Sequence, residues 1–499
     1  MKYIRRADLT ILIRAKLALE ALVNKGKYGY ITELAKSYKV SRTFIYSLLY
    51  VVSNALFEEV NFINSSNNSE VTKQLVDKHI LILRVQNNSS IESISDTLKY
   101  DKYYPASVGY ISERLSAYGQ QLLNTLKSES PVLSVWIPDE IFALNKPILI
   151  TIDPISMAIL RIELSKSRDH ETWDNHFKEL VNNNFSPIKI VSDRGVGIVK
   201  AAKTMFDNII YQPDIFHDFR SICKRILVTL ERTAYKAIAY EYEREAVILS
   251  ARSKEVKEKR VASYKEARKQ ATKAIEIYDA SHYILREIQK CLEIIDERGC
   301  VKKAEQVSQD ILACLELLES LGDKEVASTA VSLKKNLEEI LQYMKQAEQV
   351  YEHLCTKIGD KEVVKACCIA WHSEHKIWQN PSSKQKAYLK DLRDVALQYC
   401  ELILKKQYKE IKEYVFMVLD NIVRASSLIE AVNSLIRPYL NMCKGQITQQ
   451  TLNLIMFYHN HRKFRHGKRK DKSPIEILTG VKSDKHWVDI LVETAGILA

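Results

Sequence analysis

A chain of 499 residues with 46% hydrophobic content is long enough for two to four domains with real cores, which excludes a disordered polymer. Its 74 lysines and arginines against 62 acids give a net charge of +12 and a pI near 9.0. Such a surplus draws polyanions by releasing their counterions, so nucleic acid is the first partner to weigh against a merely solubilising surface. Nine cysteines without repeated C-x-x-C pairs fit reduced thiols, and charge interrupts the N-terminus too often for a secretory leader. No apolar run approaches the ~18–20 residues of a membrane span.

Near the N-terminus, "ITELAKSYKVSRTFIYSLLYVV" predicts two short helices around a tight turn. Leu34, Ala35, Val40, Phe44 and Ile45 fall at packing spacings, and Ser41 is placed to cap the second helix. That is a helix-turn-helix pattern, which would present Arg42, Thr43 and Tyr46 to DNA; a plain packed hairpin is the alternative. Lys39 stands where such turns often carry glycine. The Asn/Ser-rich stretch Asn61 to Glu70 has the composition of a linker. From Val71 the plan repeats, with a long amphipathic helix, a Ser90-capped helix over Ile91 to Leu98 and another from about Ser107. Residues 1–62 and 70–130 are therefore expected to be tandem helix-turn-helix domains, whose linkage adds avidity on duplex DNA.

Beta-branched runs follow: "KPILITID" to Asp153, "MAILRIEL" from Met157 to Leu164, "IKIVSD" to Asp193 and "NIIYQPD" from Asn208 to Asp214. Between the second and third, Trp173, Phe177, Leu180 and Val181 mark one face of a helix. This predicts an α/β domain with strands buried on both faces, its first part over 140–222. Over 223–422 helix breakers are few and charges interleave with a thin apolar stripe, so a long α-helical insertion is expected. Residues 423–499 return to the α/β domain and end in a basic segment, "FYHNHRKFRHGKRKDKSPIEILTG".

Asp153 ends the run "ILITI", and Asp193 ends "IKIV" ahead of a glycine-containing turn into a helix. A carboxylate beside a strand core costs several kcal/mol unless a cation meets it, and strand ends face the crevice where ligands sit. A divalent metal with oxygen ligands fits both acids; capping of the next helix is the plainer reading of Asp193. Gly195 and Gly197 are expected to let the backbone turn sharply beside the metal. Glu430, Asn433 and Arg437 at i, i+3 and i+7 would share one helix face, able to ligate metal and touch phosphate or simply to be solvated.

Taken together, the strand-end Asp, "VSDRGVGIVKAA", "QPDIFHDFR" and the helical "SSLIEAVNSLIRPYL" resemble the DDE transposases of bacterial insertion sequences, over about Pro147 to Gly480. The resemblance implies an RNase H-like catalytic domain, a mixed five-stranded sheet flanked by helices. It would be interrupted by the helical insertion and preceded by the all-α helix-turn-helix pair. The first Asp would lie on the first strand and the second on the fourth, with a short third strand expected between Leu164 and Trp173. It also implies Asp153, Asp193 and Glu430 as catalytic ligands of two magnesium ions, with manganese able to substitute. Asn433, Arg437 and His217 would position phosphate or the glutamate, although His217 reads equally as a core histidine. Arg462, Lys463, Arg465, Lys468 and Arg469 would contact the DNA backbone.

The implied reaction is nicking at the element's ends followed by transfer of the freed 3′-OH into target DNA. Its partners would be double-stranded DNA, both ends and target, and further copies of the chain in a homodimer or larger paired-end complex. No membrane is implied, and the location would be cytoplasmic and nucleoid-associated. A catalytically inactive repressor or domesticated transposase, or an RNase H-type nuclease without joining, are the competing expectations. Cys368, His372 and His375 share a helical face, but without an evident fourth ligand a zinc site is not favoured. Glu163, Asp169 and Asp214 stand as substitutes should one of the three acids be misplaced.

Overall fold

The computed structural model describes residues 8–64, 69–100, 107–379, 382–424 and 426–496, apart from the side chains of 55–64, 69–72, 216–218, 220 and 221. Two compact units divide the chain after Arg114.

In the first unit, α1 (Ile11–Val23), α2 (Tyr30–Ser37) and α3 (Arg42–Asn64) enclose a small core of Leu17, Ala21, Leu34, Ala35, Ile45 and Leu49. Ser41 Oγ accepts from the Phe44 N–H at 3.0 Å, and Lys39 takes the left-handed conformation (φ 50°) that the tight turn requires of a non-glycine residue. Arg42, Thr43 and Tyr46 are all exposed on the first turns of α3. α3 extends through Asn64 and α4 (Ser69–Leu81) begins at Ser69, so helix occupies both ends of the stretch read as a linker, and 65–68 lie outside the described residues. A π-helical turn (Ile82–Gln86), α5 (Ile91–Tyr100) and α6 (Val108–Gln121) follow, the last running past Arg114. Ser90 and Ser107 cap α5 and α6, and buried Asp77 pairs with Arg114.

The second unit is built on a mixed sheet of order β3-β2-β1-β4-β5. Its strands are β1 (Val132–Ala143), β2 (Lys146–Ile152), β3 (Ile159–Leu164), β4 (Phe185–Ser192) and β5 (Ile210–Pro213). β1 is antiparallel to β2 and parallel to β4. Four of the five strands fall on the expected runs; β1, which starts ahead of the boundary expected at 140, is not among them. The runs read as first and second strands are the second and third, and no strand lies between Leu164 and Trp173. Pro138 stands in the middle of β1, and a proline argues against a central strand because it cannot donate to a ladder.

Alternation along β1 gives the sheet two apolar faces. Trp136, Leu149, Leu160 and Ile190 pack under α7 (His170–Asn182) and α8 (Val196–Met205) through Trp173, Phe177 and Ile198. Val135, Ile137, Ile150 and Ile159 form the opposite core. The helices α9 (Ile215–Ile248), α10 (Lys254–Cys291), α11 (Ala304–Ser320), α12 (Lys324–Ile340), α13 (Gln342–Ile358), α14 (Lys361–Gln379), α15 (Ser383–Leu404) and α16 (Tyr408–Asp420) make up the insertion. The first two form a long hairpin, and the rest share a core centred on Leu315, Tyr343, Met344 and Val415.

After the insertion, α17 (Ser427–Met442) and α18 (Gln449–His461) cover the Ile137 face. Edge strand β3 is closed by two amides of α18: Gln449 accepts from the Leu164 N–H (2.7 Å), and Asn460 exchanges hydrogen bonds with Ile159 (2.8 and 2.9 Å). Finally α19 (Pro474–Thr479), opened by a Ser473–Glu476 capping box, and α20 (Trp487–Ala495) follow.

Candidate active site

β1 and β4 run parallel with Trp136 level with Ile190, and this register, continued past the end of β4, brings Asp193 beside Asp139. Asp139 falls in the inward series Val135, Ile137, Ile141, Ala143, so its carboxylate faces α17. There the Asn433 Nδ2 donates to Asp139 Oδ2 at 2.7 Å, while the Glu140 N–H donates to Oδ1 at 2.8 Å. Burial, helped by the nearby charges of Asp193 and Glu430, pushes the Asp139 carboxyl up to about 6 against the pull of those two hydrogen bonds. Three acids from β1, the end of β4 and the first turn of α17 thus share one electrostatic neighbourhood.

Asp193 accepts from the Gly195 N–H (3.2 Å), and its carbonyl accepts from the Tyr211 hydroxyl (2.9 Å), which fixes the strand-to-helix turn. Gly195 and Gly197 do not carry the turn by positive φ. A Cβ on Gly197 would lie 2.3 Å from the Arg168 carbonyl and one on Gly195 would lie 3.1 Å from Asp193 Oδ1, so both serve close approach. Glu430 is largely exposed and paired with Arg437 at 3.1 Å. Asn433, expected on phosphate, is fully buried and holds Asp139 instead, leaving its Oδ1 without a partner.

Asp153 stands apart from this group. It follows Ile152, which pairs with Ile137, and therefore lies about three residues, roughly 10 Å, along the strands from Asp139. Its Oδ2 accepts from the Ser156 N–H (2.7 Å) and Oγ (2.6 Å), and its own carbonyl accepts from the Met157 N–H (2.8 Å). It is thus the organising residue of the β2–β3 turn, an Asx-type cap rather than a ligand beside Asp193. Burial raises its carboxyl; the Ser156 hydrogen bonds and the Arg469 charge oppose the shift. With β1 unrecognised, Asp153 is the first strand-end acid in the sequence. The signal for Asp139 was an acid within the alternating inward series of "VLSVWIPDEIFA", which Pro138 obscured.

The substitutes are occupied elsewhere. Asp169 caps α7, Asp214 accepts from the Ser426 N–H (2.9 Å), and Glu163 is held down to about 2 against burial by His176 and Arg161. His217 lies on α9, and its side chain is outside the described residues. In the basic segment, Lys463 pairs with Glu476 (3.6 Å), Lys468 with Asp420 (2.7 Å), and Arg469 donates to the carbonyls of Pro154 and Ile155. Those three side chains fold the segment onto the domain, whereas nearby Arg465 is exposed and the Arg462 guanidinium lies over the Tyr458 ring. Cys368 is buried in the insertion core, whereas His372 and His375 face different acids, Glu293 and Asp420.

Among the described residues, no three His, Cys, Asp or Glu side chains are gathered closely enough to hold a metal ion as they stand, and no helix is long and apolar enough to cross a membrane. No protein-family model matches the chain, and no curated protein matches it.

Proposed function

We propose that the chain is a DNA transposase of the RNase H-like, DDE kind, with Asp139, Asp193 and Glu430 as its acids. The observation that supports this reading is the β1–β4 register, which sets Asp139 beside Asp193 and opposite the Glu430 face of α17. The sheet order with β1 central, the helical insertion ahead of α17 and the exposed helix-turn-helix residues are those expected of such an enzyme.

The donor set fits magnesium: three carboxylates and the unpartnered Asn433 amide oxygen are hard oxygen ligands, with no nitrogen or sulfur among them. When bound, a pair of such ions supplies the activation of a water or 3′-hydroxyl and the stabilisation of a leaving oxygen in phosphoryl displacement. The protein's share is placement. The central strand fixes Asp139, Asn433 keeps one of its oxygens directed, and the Tyr211 and Gly195 hydrogen bonds fix the Asp193 turn. Arg437 holds Glu430 in an ion pair that a bound cation would compete for. Exposed Arg42, Thr43 and Tyr46 would read the element ends, and pairing two ends would require at least a homodimer.

The test is cleavage and joining of the DNA that flanks the coding sequence, with magnesium or manganese, by wild type and by Asp139→Asn, Asp193→Asn and Asp153→Asn. The proposal expects loss of both activities in the first two and retention in the third. Cleavage without joining by wild type would move the reading to a nuclease, and DNA binding without either would move it to a repressor.

A further inference from the structure

A groove of about 660 Å³ lies between the start of α7 and the start of α8. Glu140, the neighbour of Asp139 on β1, lines it, as do Arg168, His170, Arg194, Gly195 and Lys200. Through Gly195 it adjoins Asp193, whose charge also acts on Arg168. Its size is that of a ligand site rather than a surface dimple.

Three cations line this groove, Arg168, Arg194 and Lys200, against two acids: Glu140, which is paired with Arg168, and Asp169, which accepts hydrogen bonds from Ser167 and from Thr172. Arg194 is shared with Glu339 of α12. Lys200 is exposed and makes no ion pair among the described residues, and Arg168, itself 61% exposed, stands over the Phe142 ring at 5.4 Å. A groove beside Asp193 with one cation in excess, that exposed lysine and an aromatic ring next to Arg168 suits a single nucleic-acid strand, whose phosphates need charge without sequence readout.

We propose that this groove carries the sugar–phosphate backbone of a single DNA strand leaving the acid cluster, with Lys200 and Arg168 as its phosphate contacts. The proposal rests on the transposase reading and adds the path of the strand. Arg168 would exchange Glu140 for a phosphate as the strand enters, and Lys200 would take the next phosphate along.

The experiment is fluorescence anisotropy of the full chain with a labelled single-stranded oligodeoxynucleotide, in EDTA and over a range of salt, so that neither cleavage nor duplex recognition contributes. Lys200→Glu is expected to weaken binding about tenfold and to reduce the log–log salt slope by about 0.7 to 1, the change for one lost phosphate contact. Arg168→Ala should act in the same direction, while Lys390→Glu on α15, an equal change of net charge at an exposed site, should not. Equal losses in the Lys200 and Lys390 variants, no loss in either, or competition by a mononucleotide as strong as by the oligomer would overturn the proposal. Circular dichroism and thermal melting of each variant exclude unfolding as the cause. If Lys200→Glu binds normally while Asp139→Asn abolishes cleavage, the groove assignment fails and the catalytic reading stands. If Asp139→Asn still cleaves, the catalytic reading fails whatever the groove binds.

Discussion

Asn433 and Asp139, 294 positions apart in the chain, meet through a 2.7 Å hydrogen bond from the Asn433 amide to one carboxylate oxygen. An amide in this position donates to the ionised form and opposes the shift that burial imposes on Asp139. Asn433→Leu should therefore raise the Asp139 pKa, move the acid limb of a cleavage profile to higher pH and lower activity 10–100-fold at neutral pH. A profile unchanged in shape would show that Asn433 does not act through Asp139.

Asp139 and Asp153 should separate activity from stability. The Asp139 carboxyl sits near 6 in the folded protein and near the ordinary value of 3.8 when unfolded. The folded state therefore binds more protons between those values, and stability falls as pH rises from about 4 to about 6. Asp139→Asn removes that penalty. It should stabilise the apoprotein by about 1 to 2 kcal/mol at pH 7.5, after discounting for solvent screening, while abolishing cleavage. Asp153→Ala should do the reverse, costing about 1 to 3 kcal/mol through the lost turn hydrogen bonds and sparing the turnover of the folded fraction. Paired denaturation curves and cleavage assays distinguish the two.

Two buried histidines set an acid limit. His176 and His459 are pushed down to about 4, chiefly by burial, and each keeps a hydrogen bond, with Thr151 Oγ1 (3.0 Å) and the Met157 carbonyl (2.6 Å) respectively. Since their folded values lie below the unfolded 6.5, the stability they lend is complete above pH 6.5 and is lost as pH falls toward 4. Thermal midpoints should drop across that window. Replacing His459 by glutamine should flatten part of the drop.

Gly197→Ala should be destabilising by about 1 to 3 kcal/mol, because its Cβ would sit 2.3 Å from the Arg168 carbonyl and push α8 off the loop before α7. Loss of activity in step with Asp193-turn disorder, read by hydrogen exchange at residues 193–197, is the expected signature. Normal stability would show that the loop yields freely.

For the N-terminal unit, Arg42→Ala with Tyr46→Ala should abolish footprints on the element ends without changing the thermal midpoint, since both side chains are exposed. An unchanged footprint would assign end recognition elsewhere.

What the sequence made legible follows from local signals. The Ser41 cap and the Leu34–Ile45 spacing define a hairpin without help from distant residues, and "IKIV" before Asp193 is a buried strand by composition alone. β1 was hidden because its signal is not local. Pro138 is tolerated there by the pairing of neighbouring residues with β2 and β4, and Asp139 is tolerated on an apolar face by a residue from α17. Once β1 is missed, the next strand-end acid, Asp153, inherits a role that its turn geometry does not support. The basic tail misled in a similar way, since the sequence shows the charge of Lys463, Lys468 and Arg469 but not the acids and carbonyls that meet them.

The division of the sheet's inner core has a consequence for biosynthesis. Ile137, Ile150 and Ile159 belong to early strands, yet the residues that cover them, Val432, Ile436, Leu452 and Ile455, emerge from the ribosome only after the whole insertion. At ~5–20 residues per second, the roughly 270 residues between Ile159 and Val432 leave that apolar face bare for about 14 to 54 s in every nascent chain. A holdase that binds this surface, or rapid folding of the insertion beside it, is therefore a condition of yield, and truncated translation products ending before α17 should be the aggregating species in expression cultures.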